Sequence, residues 1–175
     1  MQPSDESRLH SAVEVRASSI HGSGLVATAD IPAGDVVAHL GGRIVSTDQL
    51  RRRLAAADSR DPSRYVDTIT VTEDAHLVLP AGGAIHYLNH SCDPNVWHTD
   101  AFTIAARRNV RAGEELTIDY GTHSGLSTFR MDCSCGSPPC REVITGDDWK
   151  LEVLHDRYRG HWVPGLLERI RSHLP

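Results

Sequence analysis

Four cysteines constrain the fold of this chain more than any other feature. Cys133, Cys135 and Cys140 lie within eight residues of sequence, whereas Cys92 stands alone. Thiols at this spacing are poorly placed to form disulfides with one another, and a reducing cytosol opposes such bonds. A closed tetrahedral zinc site needs four thiolate or imidazole ligands. The count therefore predicts a structural Zn²⁺ site made by all four thiolates, with four unrelated free thiols as the alternative.

Cys92 lies in a dense polar stretch, residues 87–95, with the sequence YLNHSCDPN. The side chains of Asn89 and His90 offer hydrogen-bond donors and acceptors that can read the edge of a heterocycle. The Asp93-Pro94 pair forces the chain out of regular structure. This stretch predicts a binding site, and a capped turn with one buried cysteine is the alternative.

Length and composition narrow the class of protein. The 175 residues are enough for one domain with a sizeable core. No apolar run reaches the roughly 18 residues that a membrane helix needs, and the polar first ten residues do not form a secretory signal. We therefore expect a soluble, cytoplasmic protein. The net charge of -5 argues against a nucleic-acid binder with a broad basic surface.

Short strands and tight turns dominate the pattern. Residues 12–15 alternate as a strand does, and two glycines interrupt the pattern in HGSGL, residues 21–25. These glycines let the backbone approach a ligand closely, or make an ordinary hairpin. A turn followed by a strand at residues 30–37 occurs again at residues 109–116. The repetition favours a β-rich body of short strands.

The remaining pattern predicts two more strands, at residues 65–79 and 97–106, and three helices. Ser46 and Gln49 have the spacing of a capping box, so a helix begins there. The arginine run of this helix, residues 51–53, forms either a solvated face or a docking patch for an acidic partner. The apolar positions expected on this first helix are Leu50, Leu54 and Ala57. The second helix is expected to be capped by Asp147 or Asp148, to end at Gly160 and to carry Trp149, Val153 and Tyr158. The last helix is expected to begin at Pro164 and to carry Leu166, Leu167 and Ile170.

Four motifs occur in the order and approximate spacing of the SET-domain protein lysine methyltransferases with a post-SET zinc segment. They are HGSGL at 21–25, YLNHSCDPN at 87–95, GEELTIDYG at 113–121 and the cysteine run from Cys133 to Arg141. The chain resembles this family from about Val13 to Arg141, and its compact form suggests a bacterial type.

The resemblance implies a fold class that is mainly β, with small sheets in a β-clip, a helical insert and C-terminal helices. The segment containing Tyr120 is expected to thread beneath a loop, as in a pseudoknot, an exception to the rarity of threaded chains. The expected units are a flexible N-terminus (1–11), the SET domain (12–122, with the insert at about 46–64), the post-SET zinc segment (123–145) and a C-terminal helical segment (146–175).

Residue roles follow from the same resemblance. The cofactor S-adenosylmethionine is expected against His21, Gly22, Ser23, Gly24 and Leu25, and against Asn89, His90 and Tyr120. Catalysis is expected from Tyr120 and a second tyrosine, Tyr65, beside a lysine channel that Ile118 also lines. The zinc ligands implied are Cys92, Cys133, Cys135 and Cys140. Two positions depart from the family: Ile118 replaces a usual Phe or Tyr, and His86 replaces a common Arg.

The expected reaction is in-line transfer of a methyl group from the cofactor's sulfonium to a neutral lysine amine. Deprotonating a free lysine at neutral pH costs about 4 kcal/mol, and an adjacent sulfonium in a dry channel lowers that cost. The expected partner is a protein or peptide bearing a lysine, with no membrane and no nucleic acid. The alternatives are a catalytically silent SET-fold peptide binder and a small zinc-stabilised nucleic-acid binder.

Overall fold

The computed structural model describes residues 3–57 and 66–173, which form a mainly β protein with four small sheets. The predicted fold class is confirmed. The described helices are α1 (Thr47–Ala56), α2 (Glu152–Tyr158) and α3 (Pro164–His173). The strands are β1 (Arg8–Leu9), β2 (Val13–Ala17), β3 (Ser23–Ala27), β4 (Val36–His39), β5 (Arg43–Ser46), β6 (Thr68–Thr70), β7 (Ala75–Val78), β8 (Asn89–His90), β9 (Val96–His98), β10 (Thr103–Ala106), β11 (Glu115–Ile118), β12 (Arg130–Asp132) and β13 (Val143–Thr145).

The sheet that carries the functional motifs has the strand order β2-β3-β11-β8. Strand β11 pairs with β3 in antiparallel fashion and with β8 in parallel fashion. The other sheets have the orders β1-β4-β10-β9, β5-β7-β6 and β12-β13. The loop that precedes β3 and contains Gly22 is called the glycine loop here. Because β11 lies between β3 and β8, one edge of the sheet brings together the glycine loop, the Asn89-His90 pair of β8 and the end of β11.

The two predicted turn-strand copies face each other. Ile31 and Val110 exchange both backbone hydrogen bonds, at 2.8 and 2.9 Å. Gly34 and Gly113 occupy equivalent turn positions with φ of 90° and 86°, a region that favours glycine. The sequence repetition therefore corresponds to a structural pair in the middle of the body.

Apolar side chains from the sheets and from the C-terminal helices share one core. Leu25, Leu116 and Ile118 contribute from β3 and β11, and Tyr158 and Leu166 contribute from α2 and α3. All five are at most 1% exposed. The C-terminal helices therefore complete the same core that supports the functional sheet.

The predicted capping box of α1 is confirmed. The Ser46 hydroxyl accepts a hydrogen bond from Gln49 N, and the Gln49 side chain accepts one from Ser46 N at 2.9 Å. Leu50 is buried and Leu54 is half-buried, while the arginines at 51–53 are exposed.

Two expected elements were wrong in their extent. The strand expected over residues 97–106 is a hairpin of β9 and β10, whose turn is closed by a hydrogen bond from Phe102 N to Asp100 Oδ1 at 2.7 Å. The helix expected to carry Trp149 begins only at Glu152, after a separate 3₁₀ turn over residues 148–150. Asp148 does not cap α2, because its carboxylate already binds Thr145 and an arginine.

The pattern expected as strand over residues 65–79 becomes the β6–β7 hairpin, with Tyr65 outside the described residues. The last helix does begin at Pro164, as predicted. Among the described helices, none combines the length and the apolar character needed to cross a membrane.

Candidate active site

A cavity of about 660 Å³ opens where the sequence motifs meet. Its size lies within the range of about 300–1,000 Å³ that is usual for ligand pockets. The glycine loop, the loop before β8, the start of the turn after β11 and the cysteine segment form its walls. The lining residues are 20–23, Gly82, Gly83, His86, Tyr87, Asn89, His90, Tyr120 and 131–135.

Most of the predicted cofactor residues line this cavity, but Gly24 and Leu25 do not. Both are buried in β3. A Cβ atom on Gly24 would lie 2.2 Å from Glu115 Oε1, so a larger residue there would displace the Glu115 side chain. Gly22 has φ of 51° with open space around it, which suits a loop that approaches a ligand.

Asn89 ties β8 to the glycine loop. Its Nδ2 lies 3.1 Å from Ser18 Oγ, 3.0 Å from Ser23 O and 2.8 Å from Glu115 Oε1, and these acceptors hold the amide group. The Ser18 hydroxyl also bonds the Glu115 carboxylate and accepts from Ile20 N at 2.9 Å. Sequence reasoning missed Ser18, which lies outside the four motifs, and gave no role to Glu115, although that residue lies within the motif at 113–121.

His90 and Tyr120 hold each other in place. Tyr120 N donates to His90 Nδ1 at 3.1 Å, and the Tyr120 hydroxyl donates to Leu88 O at 2.9 Å. Burial lowers the pKa of His90 to about 4. The imidazole is therefore neutral, with Nδ1 as an acceptor and Nε2–H available to Cys92 Sγ at 3.3 Å. Tyr120 is thus fixed both through its backbone and through its hydroxyl.

His86 lines the cavity at the position where the resemblance places an arginine. Its Nδ1 lies 3.2 Å from Asp67 Oδ2, and its Nε2 lies 2.6 Å from Pro80 O. Both neighbours are acceptors, so both ring nitrogens donate when His86 is protonated. The hydrogen bond to Asp67 raises the pKa of His86. The pairing with Asp67 therefore favours the protonated form of His86, which carries the same sign of charge as an arginine.

Cys92 joins the other three cysteines at the edge of the cavity. The four Sγ atoms lie within 4.8 Å of one another, and all four thiols are free. Cys92 and Cys133 Sγ are 3.9 Å apart, and Cys140 and Cys133 Sγ are 3.7 Å apart. Tetrahedral bonds of about 2.3 Å to zinc imply sulfur atoms about 3.8 Å apart. The donor set and its spacing therefore fit a closed tetrahedral zinc site.

Backbone N–H groups face these sulfurs, as expected where thiolate charge must be stabilised. Arg141 N donates to Cys92 Sγ at 3.3 Å, Glu142 N to Cys140 Sγ at 3.4 Å, and Cys92 N to Cys135 Sγ at 3.5 Å. These donors support thiolate ligands rather than unrelated free thiols.

Of the two expected channel residues, the structure describes only Ile118. Ile118 is 1% exposed, packs in the core and does not line the cavity. Strand β11 ends at Ile118, and Tyr120 begins a 3₁₀ turn. Tyr65 lies outside the described residues, so its expected place beside the channel stays a prediction.

Known proteins are similar to this chain in sequence. The SET domain family matches residues 22–121. The chain is 36% identical over 143 residues to the histone-lysine N-methyltransferase trithorax of Drosophila virilis, covering 75% of this chain and 4% of that protein. It is 33% identical over 146 residues to the histone-lysine N-methyltransferase ASHH3 of Arabidopsis thaliana, covering 77% and 39%. The chain thus spans less than two-fifths of the length of either relative.

A solved structure shows the same fold. The methyltransferase domain of human histone-lysine N-methyltransferase SETMAR matches with a TM-score of 0.61 at 22% identity, covering 78% of this chain and 58% of that one. The family match includes the glycine loop, the Asn89-His90 pair and Tyr120. This chain belongs to the SET domain family.

Proposed function

We propose that this protein is an S-adenosylmethionine-dependent protein-lysine N-methyltransferase with one structural zinc ion. The observation that carries the proposal is the meeting of the glycine loop, Asn89, His90 and Tyr120 around one cavity beside four cysteines. Relatives that bear the name histone-lysine N-methyltransferase support it.

The cofactor supplies an electrophilic methyl group on a sulfonium. The backbone of His21, Gly22 and Ser23 and the side chains of Asn89 and His90 would hold it, because all five residues line the cavity. Asn89 is well suited to this task, since its amide is anchored on one side by Ser23 O and Glu115. The two Nδ2 hydrogens are committed to protein acceptors, so Oδ1 would accept from the cofactor, and an anchored group loses less conformational entropy when a ligand binds.

Tyr120 would orient the substrate amine. Tyr120 lines the cavity, and its hydroxyl donates to Leu88 O, so a hydroxyl and a carbonyl lie side by side. Such a pair can bind an uncharged amine and align its lone pair for in-line transfer, which is catalysis by positioning and electrostatics rather than by a strong base. We assign Tyr65 and Ile118 to the lysine channel on the basis of the resemblance alone.

Zinc would shape the site without taking part in the transfer. Cys133 and Cys135 are candidate ligands and also line the cavity. An ion held by four thiolates has no open position for a substrate. Its role would therefore be to hold one wall of the cofactor cavity in place.

Tritiated S-adenosylmethionine, with core histones and a lysate of the source cell as substrates, tests the proposal. Lys150 is the only lysine of the chain, so Lys150→Arg removes labelling of this protein's own lysine and leaves only substrate labelling. We expect label in a lysine of a substrate protein. Tyr120→Phe should lower the rate by about a hundredfold, the size of effect seen when one oriented polar group is lost, with cofactor affinity little changed.

Other outcomes separate the alternatives. Cofactor binding by calorimetry without any transfer would support a silent peptide-binding module. Absence of cofactor binding, together with affinity for oligonucleotides, would support the zinc-stabilised nucleic-acid binder. Full activity of Tyr120→Phe would refute the role given to Tyr120. The boundaries of the four units and a cytoplasmic location stay predictions.

A further inference from the structure

Behind Tyr120 lies a buried polar cluster that the reaction does not use directly. The Asp119 cluster consists of Asp119, Arg141, Asp148 and Tyr158. Arg141 donates to both oxygens of Asp119, from Nη2 to Oδ1 at 2.6 Å and from Nη1 to Oδ2 at 2.7 Å. Arg141 Nε donates to Asp148 Oδ2 at 3.0 Å, and the Tyr158 hydroxyl donates to Asp119 Oδ2 at 2.8 Å.

The cluster satisfies every polar atom of the Asp119 carboxylate. Besides Arg141 and Tyr158, Gly121 N donates to Oδ1 at 2.9 Å, so four donors meet four lone pairs. Asp119 is 0% exposed. Burial opposes its charge, but the hydrogen bonds and charge of Arg141 leave the pKa of Asp119 below its usual value. Asp119 therefore stays ionised.

The four members of the cluster come from three parts of the chain. Asp119 immediately precedes Tyr120 and caps the 3₁₀ turn that Tyr120 begins. Arg141 immediately follows the candidate zinc ligand Cys140. Asp148 and Tyr158 belong to the C-terminal part of the chain, beyond the residues that the SET domain family matches. The cluster thus joins the candidate catalytic turn, the cysteine segment and the C-terminal helices.

We infer that Tyr158 is a positioning residue, which acts through Asp119 to orient Tyr120 and so makes the C-terminal helix α2 part of the catalytic apparatus. The inference rests on the proposed methyltransferase function. A buried ion pair contributes little net stability, because the cost of desolvating the charges offsets their attraction. When every donor and acceptor of such a cluster is hydrogen-bonded, however, the network fixes the orientation of its members. The cluster therefore acts mainly on the orientation of the turn over residues 119–122.

Tyr158→Phe is the sharpest test, because it removes one hydroxyl and leaves the ring in the core. The variant leaves Arg141 paired with Asp119, so the turn keeps most of its donors. We expect kcat to fall by about five- to tenfold, as one hydrogen bond of a positioning network is lost, while KM for the cofactor changes by less than about twofold. Arg141→Lys keeps a charge but cannot donate to both oxygens in a planar fork, so it should lower kcat further.

Arg169→Met is the matched control. Arg169 also ties a C-terminal helix to the rest of the chain, by donating from Nη1 to Gly125 O at 2.7 Å, but it does not contact the Asp119 cluster. We expect this variant to lower Tm without changing kcat. Zinc content should stay equal in wild type, Tyr158→Phe and Arg169→Met, and it must be measured in Arg141→Lys because Cys140 is adjacent.

Hydrogen exchange separates this inference from the proposed function. Amides of residues 120–122 should exchange faster in Tyr158→Phe than in wild type or Arg169→Met, whether or not a substrate is known. If the wild type is inactive, the proposed function is refuted. The exchange rates of residues 120–122 then decide by themselves whether Tyr158 positions the turn. Equal kcat and equal exchange in Tyr158→Phe and Arg169→Met would overturn the inference, because the cluster would then be structural only.

Discussion

The two walls of the cavity are held by different physical forces. The functional sheet packs on the apolar core, where Leu25, Leu116 and Ile118 are at most 1% exposed. The cysteine segment, residues 130–142, contains no buried residue. It contacts the body through thiols, backbone N–H groups, the arginine Arg141 and the pairing of β12 with β13. One wall of the site is therefore stabilised by apolar burial, and the other by candidate metal bonds and hydrogen bonds.

This difference means that the two walls should fail separately. A segment without an apolar core takes most of its folding free energy from metal binding. It should therefore lose its structure when a cysteine ligand is removed. The body buries enough apolar surface to stay folded without the ion. Four variants can break or sharpen the contrast.

The largest effect is expected from Cys140→Ser. Loss of one thiolate ligand should release the zinc. Because a structural zinc ion contributes on the order of 10 kcal/mol to the folding of the segment that binds it, the cysteine segment should then lose its fixed position. Cofactor binding should weaken by at least about tenfold, because this segment forms one wall of the cavity. The body should keep its unfolding transition. Elemental analysis, calorimetry with S-adenosylhomocysteine and hydrogen exchange measure the three quantities.

Removal of zinc from the wild type by a chelator, followed by its return, is the control for that variant. The ion should restore cofactor binding to the wild type and not to Cys140→Ser. Zinc-free wild-type protein with full cofactor affinity would show that the segment does not depend on the metal.

Leu116→Ala tests the opposite wall. The side chain is 1% exposed in the core, so truncation should lower the free energy of unfolding by about 2–5 kcal/mol. Zinc content should stay at one ion per folded chain, because no cysteine is touched. Chemical denaturation followed by metal analysis measures both, and loss of zinc from the folded variant would contradict independent walls.

Ile118→Tyr asks whether the apolar body also limits the lysine channel. Isoleucine has no hydroxyl to hold a water in the space of further methyl groups, so we expect the wild type to make di- or trimethyl-lysine and the variant to favour monomethyl-lysine. The larger side chain should also destabilise the core by about 1–3 kcal/mol. Mass spectrometry of product peptides at long incubation gives the methylation states. Only monomethylated product from the wild type would assign the limit to another side chain.

The smallest effect concerns His86, which joins the cavity to Asp67 beside the insert. Its hydrogen bond to Asp67 raises the pKa of His86, so the protonated form is favoured in the folded state. The stability that the protonated His86 adds is complete below about pH 6.5, the pKa of histidine in the unfolded chain. This stability is lost as pH rises through the higher pKa of His86 in the folded protein. The Tm difference between wild type and His86→Gln should therefore shrink from pH 6 to pH 9.

Several features could be predicted because they depend on neighbouring residues. The capping box at Ser46 and Gln49 follows from local spacing, and so does the paired turn at Gly34 and Gly113. The expected cap of α2 was wrong, because Asp148 lies in a separate 3₁₀ turn and its side chain has other partners nearby in the sequence. Asp148 does not cap α2, because Arg141 and Thr145 bind its carboxylate.

The sequence by itself determined the family, the mainly β class and the set of four cysteines, since each rests on residue identity and order along the chain. Only the tertiary structure decided that Gly24 faces the Glu115 side chain, that His86 is paired with Asp67, and that Asp119 is held by Arg141 and Tyr158. Motif spacing records which groups the chemistry needs. It does not record which distant side chains satisfy a buried charge, because that depends on the distances that folding creates between segments far apart in sequence.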